Sequence, residues 1–84
     1  MSKGRILVVE DDLDLSKMLR LYFDSQGYEV LTVARGEDAL KTCRTKQPNV
    51  VVLDIMLPDM DGYDVCRDLR GNLRTSHIPI IFLT

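Results

Sequence analysis

Acidic side chains follow two apolar runs of the chain, where they could do chemistry together. Glu10, Asp11 and Asp12 come directly after the run RILVV, and Asp54 comes at the end of the run NVVVL. Carboxylates packed within a few ångströms repel one another, so such a group either raises a pKa or binds a cation. Carboxylate oxygens suit a small, hard cation such as Mg²⁺. The residues therefore predict a magnesium site formed by Glu10, Asp11 and Asp54.

An aspartate in a magnesium site can also attack a phosphoryl group and form an acyl phosphate. Composition alone does not decide which acid attacks. Asp54 is the better candidate because it stands alone at the end of its run, whereas Glu10, Asp11 and Asp12 crowd the start of a helix. Asp12 and Asp14 are expected to be helix caps or solvent-exposed side chains.

The periodicity of apolar residues predicts the elements that position these acids. The predicted strands cover residues 5–9, 28–33, 49–55 and 78–84, and the predicted helices cover Leu13 to Gln26, Glu37 to Arg44 and a segment that contains Val65, Cys66 and Leu69. Gly27 is expected to end the first helix in the left-handed conformation, and Pro48 to close the second. Residues 71–77 are expected to be a polar connection.

Helical spacing also predicts which residues each helix buries. The expected buried residues are Leu15, Met18, Leu19, Tyr22 and Phe23 in the first helix, Ala39, Leu40 and Cys43 in the second, and Val65, Cys66 and Leu69 in the third, which Asp61 can cap. Strands that alternate with helices form parallel crossovers, which predicts an α/β fold with helices on both faces of one sheet. If the first and third strands are neighbours, their acids meet at one edge of that sheet.

The composition is that of an ordinary globular domain. The chain has 84 residues, of which 45% are hydrophobic and 29% charged, with a formal net charge of -2 and no basic stripe that would attract nucleic acid. It has no apolar run approaching the ~18 residues of a membrane span and no secretory segment after Met1. Cys43 and Cys66 fit no zinc spacing and are expected to be buried, reduced thiols. We therefore expect a cytoplasmic protein.

The motifs RILVVEDD, VVVLDIMLPDMDGYDVCRDLR and HIPIIFLT resemble the receiver domain of two-component response regulators. The resemblance runs from residue 5 to residue 84 and is specific, because the acidic pair, the acceptor strand with its loop, and the fourth strand come in the family's order. It implies a flavodoxin-like fold with a parallel sheet in the strand order 2-1-3-4.

The resemblance also implies roles for particular residues. Asp54 would accept a phosphoryl group from a phosphohistidine of a sensor histidine kinase, which would dock on the first helix. Asp11 would bind Mg²⁺ directly, Glu10 directly or through water, and Met56 through its main-chain carbonyl. Thr84 would be the switch hydroxyl, and Pro58 and Gly62 would shape the loop after the acceptor.

Residues 5–84 resemble only part of a receiver domain. The family continues with a fourth helix, a fifth strand that ends in an active-site lysine, and a fifth helix. Lys41 and Lys46 lie on or near the second helix and cannot take the role of that lysine. The fourth strand would then be an apolar sheet edge. We therefore expect a fragment of a longer chain, or a homodimer that pairs or exchanges elements along this strand.

Two other functions are compatible with some of these residues. A haloacid-dehalogenase-type phosphatase also uses an aspartyl nucleophile and Mg²⁺ after a parallel strand, but the segment from Glu10 to Leu15 lacks the Gly-Thr of that signature. An interaction module that works without phosphorylation would keep the sheet and do without the lysine.

Overall fold

The computed structural model describes residues 2–83, which form four strands alternating with three helices. The elements are β1 (Arg5–Val9), α1 (Leu13–Ser25), β2 (Glu29–Val33), α2 (Gly36–Lys46), β3 (Val50–Asp54), α3 (Gly62–Arg70) and β4 (Ile80–Leu83). The predicted order of elements is confirmed, with shifts of one or two residues at most ends. Thr84, the predicted switch residue, lies outside the described residues.

All four strands run parallel in one sheet, in the order β2-β1-β3-β4. This confirms the flavodoxin-like arrangement and the neighbouring first and third strands. In the register of β1 with β3, Val9 lies opposite Leu53. The residues that follow these two therefore emerge side by side at the carboxyl edge of the sheet.

Side chains of the strands alternate between two faces of unequal packing. Helices α2 and α3 cover one face, where the buried cluster consists of Leu7, Val9, Ala39, Cys43, Val51, Leu53, Val65, Leu69 and Ile78. Helix α1 covers the other, where the buried residues are Ile6, Val8 and Val52. The larger core thus lies between the sheet and the helix pair.

Helix α1 buries a narrower face than its apolar periodicity predicts. Leu19 and Phe23 pack against the sheet, whereas Met18 is 60% exposed and Tyr22 is 59% exposed. Adjacent residues of a helix are about 100° apart around its axis, so Met18 and Tyr22 turn away from the strip that touches the strands. The prediction that these two side chains are buried was wrong, because the apolar stripe of α1 is wider than its contact with the sheet.

The ends of α1 and α2 are formed largely as the sequence predicts. Gly27 follows α1 with a φ of 95°, in the left-handed region that glycine adopts without strain. Helix α2 runs two residues further than predicted and stops where Gln47 takes a left-handed conformation with a φ of 47°. Pro48 follows immediately and cannot continue the helix.

The segment before β4 contains a buried residue, Thr75, that its polar composition does not reveal. Thr75 is fully buried, and its hydroxyl donates to the carbonyl oxygen of Leu69 at 2.8 Å. Ile78 lies before β4 and is buried in the larger core. The next residue, Pro79, has no N–H to donate to a strand ladder. The carbonyl oxygen of Pro79 still accepts from the N–H of Val51 at 3.0 Å. The strand therefore starts two residues later than predicted.

The two cysteines have different environments, although both were expected to be buried. Cys43 lies in the larger core, whereas Cys66 is only half-buried on α3. Burial raises the pKa of the Cys43 thiol from 9.0 to about 11. The thiolate is the reactive form of cysteine, so burial and the raised pKa both make Cys43 less reactive toward alkylating reagents.

We expect iodoacetamide at pH 8 to alkylate Cys66 in the native protein well before Cys43. Unfolding in urea should make the two rates similar, because Cys43 then regains solvent and its ordinary pKa. Peptide mass spectrometry after timed quenching measures both rates in one sample. Equal native rates would contradict the described packing of α2 on the sheet.

Candidate functional site

The three acids predicted to form a metal site come together at the carboxyl edge of the sheet. Glu10 and Asp11 follow β1, and Asp54 is the last residue of β3. One carboxylate oxygen from each lies within 4.8 Å of the other two. The first and third strands are neighbours, so residues separated by 43 positions in sequence become adjacent in space.

Glu10 is the most buried of the three acids, with 5% of its surface exposed. Its N–H donates to the carbonyl oxygen of Val33 at 3.0 Å, and its Oε2 accepts from the N–H of Asp12 at 2.9 Å. Burial raises the pKa of the Glu10 carboxyl, and the neighbouring carboxyls of Asp11 and Asp54 raise it further, against the opposing effect of the Asp12 hydrogen bond. The cluster therefore holds negative charge in a place where a cation would relieve it.

Asp12 belongs to the same acidic run but serves a different purpose. Its Oδ1 accepts from the N–H groups of Asp14 at 3.0 Å and Leu15 at 3.2 Å, which makes it the N-cap of α1. These N–H groups lack partners within the helix, so a carboxylate oxygen at this position stabilises the first turn. Asp12 is thus a cap, one of the two roles expected of it.

Met56 lies two residues after Asp54 at the start of the loop to α3. Its side chain is 81% exposed, and its N–H donates to Oδ1 of Asp54 in a long hydrogen bond of 3.4 Å. Met56 also forms an isolated antiparallel bridge with Asp61, which closes the loop across its base. The main chain of Met56 is therefore held beside the Asp54 carboxylate.

Gly62 permits the closest approach of backbone segments at this edge. Its N–H donates to the carbonyl oxygen of Ile55 at 2.6 Å. A Cβ at this position would lie 2.4 Å from the carbonyl oxygen of Asp54 and 2.9 Å from the Cα of Ile55. Both are backbone atoms, which cannot move aside as a side chain can. Position 62 therefore requires glycine because α3 begins against the main chain of Asp54.

Asp59 is a residue of this region that the sequence analysis did not single out. Its carboxylate accepts from the N–H groups of Gly36 and Glu37 at the start of α2, at 2.7 Å and 2.9 Å. The hydrogen bonds from Glu37 and Gly36 lower the pKa of the Asp59 carboxyl, and the charge of Arg35 lowers it further. The local signal for a cap is an acid just before the helix it caps, whereas Asp59 follows α2 and lies 23 residues along the chain from Gly36 and 22 from Glu37.

Residues 6–84 match the family model of the response regulator receiver domain. The chain belongs to the response regulator receiver domain family. This membership favours the receiver function over the haloacid-dehalogenase-type phosphatase.

The receiver chain has curated relatives and solved structural neighbours. It is 47% identical over 83 residues to a protein named probable transcriptional regulator ycf27 of Cyanophora paradoxa, covering 99% of this chain and 34% of the relative. It therefore spans about a third of the length of that relative.

In residues 2–83, no helix combines the length and apolar character that crossing a membrane requires.

Two solved receiver domains match nearly all of the chain. The N-terminal domain of a response regulator receiver protein from Methanoculleus marisnigri has a TM-score of 0.95 and 31% identity, covering 99% of this chain and 68% of that one. The receiver domain of a sensor histidine kinase from Pseudomonas aeruginosa has a TM-score of 0.92 and 32% identity, covering 96% of this chain and 66% of that one. That second structure contains a magnesium ion coordinated in its active-site cleft.

We expect Gly62→Ala to destabilise this receiver chain by about 1–3 kcal/mol, the usual cost of forcing extra volume into a packed site. The added methyl must push α3 away from the main chain of Asp54 and Ile55. Urea unfolding followed by circular dichroism measures the loss. Gly71→Ala is the control, because a Cβ there would meet its nearest neighbour, the carbonyl oxygen of Arg67, at 3.5 Å. Equal effects of the two substitutions would contradict the close approach.

Proposed function

We propose that this chain is a phosphoacceptor that binds Mg²⁺ at Glu10, Asp11 and Asp54 and takes a phosphoryl group onto Asp54. The observation that carries the proposal is the convergence of these three carboxylates within 4.8 Å at the carboxyl edge of a receiver-family sheet. The proposed phosphodonor is a phosphohistidine of a sensor histidine kinase.

The donor set fits magnesium in chemistry and in size. Its three members offer only oxygen, the ligand type of hard cations, and opposite ligands of a Mg²⁺ octahedron lie about 4.2 Å apart. The carboxylate oxygens of the cluster fall within a similar span. A main-chain carbonyl from Met56 is the further protein ligand that we propose, because the backbone of this residue is already held beside Asp54.

Bound Mg²⁺ would supply charge neutralisation, which lets an anionic carboxylate approach an anionic phosphoryl group. The nucleophile comes from the chain itself. A carboxylate oxygen of Asp54 attacks phosphorus as the P–N bond to the donor imidazole breaks. The imidazole nitrogen leaves with the bonding electron pair and takes a proton from solvent water. Asp54 is half-buried at the end of a strand, which restricts the positions its carboxylate can take and supports its role as the nucleophile. Thr84 remains the proposed switch hydroxyl.

We expect a small-molecule phosphodonor such as phosphoramidate, with Mg²⁺, to add the mass of one phosphoryl group to the intact protein. Chelation of Mg²⁺ with EDTA should abolish the adduct, because the repulsion between carboxylates and phosphoryl group returns. Asp54→Asn should abolish it too, since the amide is not a nucleophile. Intact-mass spectrometry reads all three samples.

Asp12→Asn is the matched control for Asp54→Asn. It removes the same charge from the same edge of the sheet, and asparagine still caps a helix well. This variant should accept the phosphoryl group. If neither this chain nor a longer form that carries the family's fifth-strand lysine gives an adduct, the proposal fails, and a phosphorylation-independent interaction module becomes the better function. An adduct from the longer form alone would mean that these 84 residues are inert by themselves. The absence of nucleic-acid binding and the cytoplasmic location stay predictions.

We also propose that two copies of the chain associate along β4. This strand lies at one edge of the sheet in the described part of the chain, and its Ile81 is 56% exposed. An edge strand with an apolar side chain in solvent is a template for pairing with a second chain. Size-exclusion chromatography with light scattering should show a dimer that Ile81→Lys converts to a monomer. A folded wild-type monomer at high concentration would contradict this pairing.

A further inference from the structure

The loop between Asp54 and α3, residues 55–61, is attached to its surroundings at its base and at its tip. The base is closed by the Met56–Asp61 bridge and by the hydrogen bond from Gly62 to Ile55. The tip contacts the amino end of α2, and α2 is not one of the two elements that the loop connects. A contact at this tip can therefore affect the segment that carries Asp54 and Met56.

Asp59 makes the polar part of this contact. Its Oδ1 accepts from the N–H of Gly36 and its Oδ2 from the N–H of Glu37, so both carboxylate oxygens are used. The guanidinium of Arg35, the residue in the N-cap position of α2, lies 4.0 Å from Oδ2. The first turn of α2 is thus capped by a side chain from loop 55–61.

Met60 makes the apolar part. A Cβ on Gly36 would lie 2.3 Å from Cγ and 2.6 Å from Sδ of Met60, so the thioether occupies the space that any other residue at position 36 would fill. Met60 also packs against the larger core. Two neighbouring residues of the loop therefore contact the same turn of α2, Asp59 through hydrogen bonds and Met60 through packing.

We infer that Asp59 is a positioning residue: by holding the first turn of α2 it fixes loop 55–61, and with it Asp54 and the Met56 main chain, in the arrangement that binds Mg²⁺. This inference rests on the proposed magnesium site. Asp59 is an anchor and not a ligand in this inference, because its oxygens accept from N–H groups of α2 and the acids that converge at the site are Glu10, Asp11 and Asp54. Its effect on the metal passes through the loop backbone.

The expected result is that Asp59→Ala weakens Mg²⁺ binding about tenfold, the lower end of the effect of losing a residue that orients metal ligands. The phosphorylation rate at saturating Mg²⁺ should stay near the wild-type rate, because the Asp54 nucleophile is retained and the bound cation then holds its ligands in the same arrangement. Isothermal titration calorimetry gives the dissociation constant, and intact-mass kinetics with phosphoramidate give the rate. A purely structural role would not separate the two readouts.

Asp38→Ala is the matched control, since it removes a negative charge from an exposed position in the same first turn without touching the loop. Asp59→Asn should restore part of the affinity, because an amide oxygen can accept from one of the two N–H groups. Gly36→Ala should weaken Mg²⁺ binding from the helix side by displacing Met60. This variant also serves as the test if Asp59→Ala fails to fold by circular dichroism.

The outcomes separate this inference from the proposed function. If wild-type protein binds no Mg²⁺, the proposed function fails, and the positioning role fails with it. If wild-type protein binds Mg²⁺ but Asp59→Ala binds it equally well, only the positioning role is overturned. An equal loss in Asp38→Ala would overturn it as well, because the effect would then be a general one of charge.

Discussion

The parallel register of β1 with β3 is the constraint on which the rest of the structure depends. It sets Val9 opposite Leu53, so both buried runs end at the same level and the acids that follow them meet. A slip of one residue would turn every side chain of a strand to the opposite face of the sheet. The core side chains thus fix the register, and the register fixes the position of the carboxylates.

The carboxyl edge of the sheet holds more acids than the proposed metal site uses. Three of the others accept hydrogen bonds from N–H groups at the starts of helices. Asp12 caps α1, Asp59 caps α2 and Asp61 accepts from the N–H of Tyr63 at the start of α3. Each helix begins at this edge with N–H groups that lack partners within the helix. An acid near such groups becomes a cap, and an acid that faces other acids becomes a candidate ligand.

The sequence predicted the features that depend on local pattern. Strand order, element order and the approach of Glu10 to Asp54 follow from buried apolar runs that end in acids, together with a resemblance that fixes the topology. The contacts of Asp59 with α2 and of Gly62 with the Asp54 main chain join segments that no local pattern connects. The exposure of Met18 could not be predicted for a related reason, because periodicity gives the width of an apolar stripe but not the width of its contact.

The unequal cores on the two faces of the sheet have a consequence for local opening. Helix α1 rests on the smaller cluster, so it should separate from the sheet at a lower free energy than the α2–α3 pair. The N–H of Asp12, at the amino end of α1, donates to Glu10. A cation that orders Glu10 would therefore slow amide exchange along α1, and the acidic edge would be coupled to the surface of the helix that opens more readily than the α2–α3 pair.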